Sequence, residues 1–399
     1  MRVAFVVQRC GLKVNGGAEV HCLHVAQRMS RHWQTEILTT CARDYMTWDN
    51  FYSPGPETVG GTIIRRFPVD HPRDVASFNR LSEELRLRQG SASLAEQEEW
   101  MRAQGPMSSA LLEFLAAHAD EYDAFIFFGY LYATTYFGLP LVAEKACLAP
   151  LAHEEWTIYF NMWDEFFARP RQLIFNTSFE QDFLRRRFAS LRLSGPVVGV
   201  GIDSPPAPNP NRFRARYHLD TPFLLYVGRV DESKGCRCLL DHFIRARKAG
   251  TINTKLVLIG TEVMPIPFHD DVLHLGFVDE EQKWDALAAC DWLVMPSPHE
   301  SLSLVLLEAW MAGRPAIVTA AAEVLVGQCQ RAHGGLWYRD WQEFETILRT
   351  VDEPAKATLG KQGQQYATAH YSWERVEGDY LKLLADSETS SRAPTSSAS

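Results

Sequence analysis

The stretch FLLYVGRVDESKG, residues 223–235, runs from an unbroken apolar segment through a glycine and two cations into a helix start. FLLYVG is apolar on both faces, as expected of a parallel strand covered by helices. Gly228 lets the chain turn sharply where that strand ends. Arg229 and Lys234 then stand beside the first turn of a helix predicted over 235–249, where free amides and the helix dipole already favour an anion. Two fixed cations here suit a diphosphate leaving group, on which negative charge grows as its bond breaks. The plainer alternative pairs them with Asp231 or Glu232 on the surface.

The same rhythm continues in both directions. KLVLIG (255–260), VLHLGF (272–277), DWLVMP (291–296) and AIVT (316–319) follow as strands, and a helix over 303–312 stops at Gly313, with Pro315 beyond it. Upstream, RVAFVV (2–7), TEILTT (35–40), TIIRRF (62–67), AFIFF (124–128), ACLAPL (146–151), LIF (173–175) and VVGVG (197–201) read as strands, with helical spacing in AEVHCLHVAQRMSR between the first two. Strand, helix, strand in succession implies right-handed crossovers and doubly wound α/β sheets.

Proline-rich SPPAPNPNRF interrupts the alternation and reads as a linker. It divides the chain into an N-terminal Rossmann-like domain, 1–203, and a second one, 204–370. A helical insertion of two helices is expected at about 74–118. A C-terminal helix over 371–386 is expected to pack back on the first domain, and the polar tail 387–399 to be disordered. Two such sheets facing each other would leave a cleft lined by the carboxyl ends of their strands.

Bulk properties narrow the function. The 399 residues carry a net charge of -9, which argues against a general nucleic-acid binder. The run Arg185, Arg186 and Arg187 reads as a solvated helix face. No stretch approaches the roughly twenty apolar residues of a membrane span, and the N-terminal apolar run is shorter than a signal peptide requires. The eight cysteines show no framework. Cys236 and Cys238 form CxC without a histidine to complete a metal site, and free cysteine packs as a small hydrophobe. The expected compartment is the cytoplasm, with peripheral contact on the inner membrane face if the substrate is a lipid.

The second chemical signal is HESLSLVLLEAWMAGRP, residues 299–315. Ser301 or Ser303 is expected to cap the helix, leaving first-turn amides for a phosphate. Glu300 and Glu308 lie at most roughly 12 Å apart along a helix axis. That matches the separation of sugar and ribose in a nucleotide sugar. Taken alone, this segment also reads as a capped amphipathic helix.

GRxxxxKG at 228–235 followed about seventy residues later by ExxxxxxxE, each on the correct element, resembles the retaining family 4 glycosyltransferases (glycosyl transferases group 1). The resemblance covers most of the chain and implies the two-domain GT-B fold. It implies Arg229 and Lys234 on the donor diphosphate, Glu308 on the ribose and Glu300 facing the transferred sugar. Leu302, Ser303 and Leu304 would meet sugar and phosphates through their backbone, with Gly228 at the turn and Gly276 and Phe277 lining the base pocket.

In the first domain the loop Asn15, Gly16, Gly17, Ala18, Glu19 would lie beneath the donor phosphates, and His153, after ACLAPL, would contact the donor sugar. FNTSFEQDFL (175–184) resembles the segment before the linker, with Asn176 or Ser178 capping a helix and Gly201 serving as hinge. The family usually has glycine where Ser301 and Ser303 stand. The insertion is not generic to the family, and there Trp100 and Gln104 are candidate acceptor contacts, although such a tryptophan is more often core.

The function implied is transfer of a sugar from a nucleoside diphosphate, uridine more commonly than guanosine, to a sugar, lipid-linked or small-molecule hydroxyl acceptor, with retention of configuration. Polysaccharide or glycoconjugate synthesis is the pathway class by analogy. No DxD-type motif ends a strand, so no metal and no cofactor beyond the donor co-substrate is expected. An epimerase or hydrolase on the same fold, or a non-catalytic nucleotide-sugar-binding subunit, are the rivals. A nicotinamide enzyme would need GxGxxG in the first crossover, which GLKVNGGAE lacks.

Overall fold

The computed structural model describes residues 1–391 apart from 15, 89 and 204–206, with side chains described through Ala385. The chain forms two compact units: Met1–Val200 together with the chain from Glu374, and Gly201–Trp373. The division falls after Val200, within the run read as VVGVG.

Unit 1 contains β1 (Arg2–Arg9), α1 (Gly17–Met29), β2 (Gln34–Thr40), β3 (Gly55–Val59), β4 (Thr62–Phe67), α2 (Val75–Leu87), α3 (Leu94–Gln104), α4 (Ser109–His118), β5 (Ala124–Phe128), α5 (Ala133–Gly138), β6 (Ala146–Ala149), α6 (Trp163–Phe166), β7 (Gln172–Leu173) and α7 (Ser178–Arg187). The strands form one sheet in the order β3-β4-β2-β1-β5-β6-β7. Val3–Val7 of β1 and the whole of β5 are buried, as central strands covered on both faces require.

Three expectations change here. GPETV forms β3, an antiparallel edge strand on β4 that apolar-run reading passes over because only Val59 is buried. The insertion holds three helices rather than two, because Ser93 and Ser108 each begin a new one by accepting an amide three residues on. VVGVG is not a strand: Val197 makes an isolated bridge to Phe175, and β7 is only two residues long.

Unit 2 contains α8 (Pro210–Arg216), β8 (Phe223–Val227), α9 (Cys236–Lys248), β9 (Lys255–Ile259), β10 (Val272–His274), α10 (Glu280–Ala289), β11 (Trp292–Met295), α11 (Leu304–Met311), β12 (Ala316–Thr319), α12 (Glu323–Ala332), β13 (Gly335–Tyr338), α13 (Trp341–Thr350) and α14 (Glu353–His370). Its six strands are all parallel, in the order β10-β9-β8-β11-β12-β13. α11 ends as its sequence requires. Gly313 takes a left-handed φ of 71°, and the amides of Gly313 and Arg314 close back on Trp310 and Ala309.

The last helix, α15 (Trp373–Ser391), belongs to unit 1 from Glu374, where Glu377 meets His32 at 3.2 Å and Tyr380 is fully buried. It runs to Ser391, five residues into the stretch expected to be a tail. The remainder of that tail, and the start of the linker at 204–206, lie outside the described residues. Among the described residues no helix is long and apolar enough to cross a membrane.

In each sheet the strand order reverses direction about a central strand. In unit 2 that point lies between β8 and β11, so the loops leaving their carboxyl ends flank a crevice of the kind where open α/β sheets bind ligands. Fold topology thereby selects two loops, 228–235 and 296–303, before any side chain is considered.

Candidate functional site

The loop after β8 is shaped by its two glycines. Gly228 adopts φ 154°, and a Cβ there would come within 2.9 Å of the Tyr226 hydroxyl, which donates to the Arg229 carbonyl at 2.7 Å. Asp231 caps a short turn by accepting from the Ser233 amide at 2.8 Å. Gly235 is left-handed, φ 74°, and a Cβ would overlap the Pro296 carbonyl oxygen at 2.2 Å. That backbone contact presses the loop after β8 against the end of β11, and no side chain larger than hydrogen would permit it.

The consequence is a juxtaposition across the switch point. The Lys234 ammonium donates to Glu300 Oε1 at 2.8 Å, although the residues are 66 apart in sequence. Lys234 keeps 36% of its side-chain surface and Glu300 16%. Arg229 pairs with Asp231 at 2.9 Å, the surface partner that sequence reading offered as the plainer alternative, whereas Lys234 takes Glu300 instead. Both cations thus sit at the carboxyl edge of the sheet with acidic partners that an incoming diphosphate would compete for.

Glu300 is on the loop, not the helix, because α11 begins only at Leu304. Helical rise therefore does not measure its separation from Glu308. Ser303 is the N-cap, its hydroxyl accepting from the Leu306 amide at 3.3 Å, and it holds a left-handed φ of 70°. A non-glycine residue in that region is strained, on the order of 1–3 kcal/mol, and such strain concentrates at functional sites. This explains why glycine is usual there in the family the sequence resembles. Leu302 is buried, its carbonyl accepting from Gln328 Nε2 at 2.7 Å, which fixes the turn before α11.

Glu308 faces α10. Its Oε1 receives the Lys283 ammonium at 2.8 Å, while Oε2 is buried with no hydrogen-bond partner. Burial raises the Glu308 carboxyl above the usual range, and the Lys283 charge pulls it back. Burial likewise works against the Lys283 cation, but Glu308 and Glu280 outweigh it and hold Lys283 above its ordinary value. Lys283 is the residue that sequence reading missed. It lies in VDEEQKWDAL with no motif to mark it, and only the packing of α10 beside α11 brings it to Glu308.

Gly276 is left-handed, φ 66°, with open space where a Cβ would point, and its carbonyl accepts from the Gly260 amide at 2.8 Å. Phe277 beside it is 71% exposed, an apolar surface at the same edge of the sheet.

The remaining candidates lie in unit 1. Gly16 and Gly17 open α1; a Cβ on Gly16 would meet the Glu19 carboxylate at 2.1 Å, and one on Gly17 meets nothing within 4 Å. Glu19 itself is buried on Arg9 at 2.5 Å, and Asn15 lies outside the described residues. His153 follows β6 and is half-buried, next to a loop held by Glu180, whose carboxylate accepts the amides of Ala152 and Asn176 at 2.7 Å each. Thr177, not Asn176 or Ser178, caps α7, accepting from the Glu180 amide at 3.1 Å.

Trp100 and Gln104 are buried, not presented at the surface. Trp100 is 2% exposed, donates to Ser82 at 2.9 Å and packs edge-on against Trp156 and Phe160. Gln104 is buried where its carbonyl accepts from Trp48 and Arg73. The insertion uses both to seal its own core.

The eight cysteines are free; Cys236 is buried and Cys238 exposed. His242, one turn along α9, comes within 3.4 Å of the Cys238 sulfur, a neighbour that spacing alone did not suggest. No third ligand joins them, and among the described residues no group of His, Cys, Asp and Glu is placed to hold a metal ion.

Residues 221–350 match the model of the family described as glycosyl transferases group 1. The lipopolysaccharide core biosynthesis glycosyltransferase LpsE of Rhizobium meliloti is 26% identical over 187 residues, which cover 42% of this chain and 50% of that protein. The chain thus spans about half the length of the first curated relatives it matches. Sucrose-phosphate synthase from Thermosynechococcus elongatus superposes over 98% of this chain and 99% of its own, with a TM-score of 0.73 and 18% identity. Anabaena HepE, solved in complex with UDP-glucose, covers 98% and 100% with a TM-score of 0.68 and 14% identity. These likenesses establish the GT-B fold.

Proposed function

We propose that this chain, which belongs to the glycosyl transferases group 1 family through residues 221–350, moves a sugar from a nucleoside diphosphate to a hydroxyl acceptor with retention of configuration. The observation that carries the reading is the convergence of the loops after β8 and β11, which seats the Lys234 ammonium on Glu300 with Arg229 on the same loop.

On donor binding, Arg229 and Lys234 exchange their carboxylate partners for the diphosphate. Fixed cations at a helix start stabilise the charge that develops as the bond from the anomeric carbon to the phosphate oxygen breaks. The acceptor oxygen forms the new bond on the same face, and its proton passes to the departing phosphate. Lys234, once released, leaves Glu300 free to accept from the sugar hydroxyls. Glu308 offers its partnerless oxygen to the ribose, and the exposed Phe277 ring beside Gly276 gives the base an apolar surface. By the family resemblance, His153 and the Gly16–Gly17 turn are further candidates for donor contact. A uridine donor is favoured, because HepE was solved with UDP-glucose and superposes over 98% of this chain. Cationic side chains serve the diphosphate in this scheme, so turnover is expected to persist in a chelator.

The test is transfer to a panel of hydroxyl acceptors by the purified protein. Lys234→Ala and Arg229→Ala should each lower turnover by about 10²–10³ with an unchanged circular dichroism spectrum, the cost of removing one preorganised charge contact. Near-normal turnover in either variant sinks the role given to that residue. Release or rearrangement of the sugar with donor alone would point instead to a hydrolase or epimerase.

A further inference from the structure

Glu308 is the one proposed donor contact whose two carboxylate oxygens meet opposite fates. Oε1 is held at 2.8 Å by Lys283, and Oε2 is buried without a partner. A buried acceptor left unpaired is costly, on the order of 1–3 kcal/mol, and native proteins rarely tolerate it without a use. Lys283 is itself tied down, with its ammonium 3.0 Å from Glu280 and 5.8 Å from the Trp284 ring centroid, and its side chain is only 16% exposed. The ammonium therefore cannot swing to the second oxygen without giving up the first arrangement.

We propose that Lys283 is a positioning residue: it clamps Glu308 through one oxygen and so presents the other to a vicinal diol, making the site selective for ribose over deoxyribose donors. The proposal rests on the donor reading above and extends it to a residue outside both sequence motifs. A carboxylate oxygen accepts a hydroxyl proton, so each ribose hydroxyl that reaches it satisfies the orphan. Removing the 2′ hydroxyl removes one of the two donors that a vicinal diol offers. Without the Lys283 clamp the carboxylate is free to rotate or to take up a proton, and its acceptor is no longer aimed.

The experiment compares binding of UDP, 2′-deoxy-UDP, GDP and 2′-deoxy-GDP by calorimetry. The wild-type protein should favour the ribose form of whichever base it accepts by about tenfold or more, the scale of a hydrogen bond to a charged group. Lys283→Met keeps the aliphatic stem and should shrink that ratio to within about threefold, and Lys283→Arg should recover part of it. Should Lys283→Met fold poorly, Lys283→Gln takes its place, and Glu308→Gln supplies a further arm with the same collapse of the ratio. Where both single variants fold, the double variant should lose no more than either alone. A wild-type ratio retained in Lys283→Met, or additive losses in the double variant, overturns the proposal while leaving the donor site in place. A wild-type protein that binds none of the four nucleotides overturns the donor reading itself.

Discussion

Two buried carboxylates, one in each unit, are held in opposite ways. Glu180 in unit 1 is fully enclosed and closed off by backbone, with amides of Ala152 and Asn176 at 2.7 Å and those of Leu151 and Thr177 also directed at it. Glu308 in unit 2 is tied through one oxygen by Lys283, and its other oxygen is buried without a partner. Arg73 repeats the unit 1 pattern: a buried guanidinium satisfied by the carbonyls of Gln104 and Tyr45 and by the rings of Trp48 and Phe78. A buried polar group whose valences are all filled by its own chain holds structure together. One left half filled, as at Glu308, is the feature on which the proposed donor contact draws.

That contrast breaks most visibly at Trp100. If the insertion is a sealed core, Trp100→Ala should cost about 3–5 kcal/mol in chemical denaturation, with the acceptor KM of the folded fraction unchanged. A specific rise in acceptor KM at normal stability would restore the pocket reading and blur the distinction between the units.

The next effect compares the two glutamates directly. Glu308→Gln should weaken nucleotide binding by about tenfold to a hundredfold, the loss of about 1.5–3 kcal/mol from a charge-assisted bond, while stability moves by less than about 1 kcal/mol. Glu180→Gln should do the reverse. Above about pH 8, where Glu180 is ionised, an amide side chain sets an N–H against a buried backbone N–H, costing about 1–3 kcal/mol in unfolding, with nucleotide affinity retained. Equal effects of both substitutions on stability and binding would erase the contrast.

The smallest expected effect is on pH dependence. Burial pushes the Glu180 carboxyl up to about 8 despite the surrounding amides. An unfolded glutamate titrates near about 4.3. Between these values the folded chain keeps a proton that the unfolded chain releases, so this residue's contribution is complete below the window and is lost as pH rises through it. Denaturation midpoints measured from pH 4 to 9 should therefore fall less steeply in Glu180→Gln than in the wild type.

Much of this was readable from residue order, and the failures are informative. Apolar runs located the central strands because a strand buried on both faces has nothing polar to confuse the pattern. β3 escaped because an edge strand buries only Val59. GRxxxxKG and ExxxxxxxE mark the loop after β8 and the entry to α11, but neither motif shows that Lys234 meets Glu300. Local pairing with Asp231 or Glu232 was weighed, whereas Gly235 presses against Pro296 and delivers Glu300. Glu180 was read only as part of a capping segment, although Thr177-x-x-Glu180 is a capping-box spacing that points to a structural carboxylate.

By itself, then, the sequence determined the alternation of elements, the two sheets and the loops that flank the switch point, since periodicity, glycine and proline act over a few residues. Tertiary structure alone decided which charges meet. Lys283 and Glu308 are 25 positions apart on two helices, and their encounter depends on how α10 and α11 lie against the sheet. Packing, which no local pattern encodes, also decided that Trp100 would close a core and that one oxygen of Glu308 would stay unpartnered.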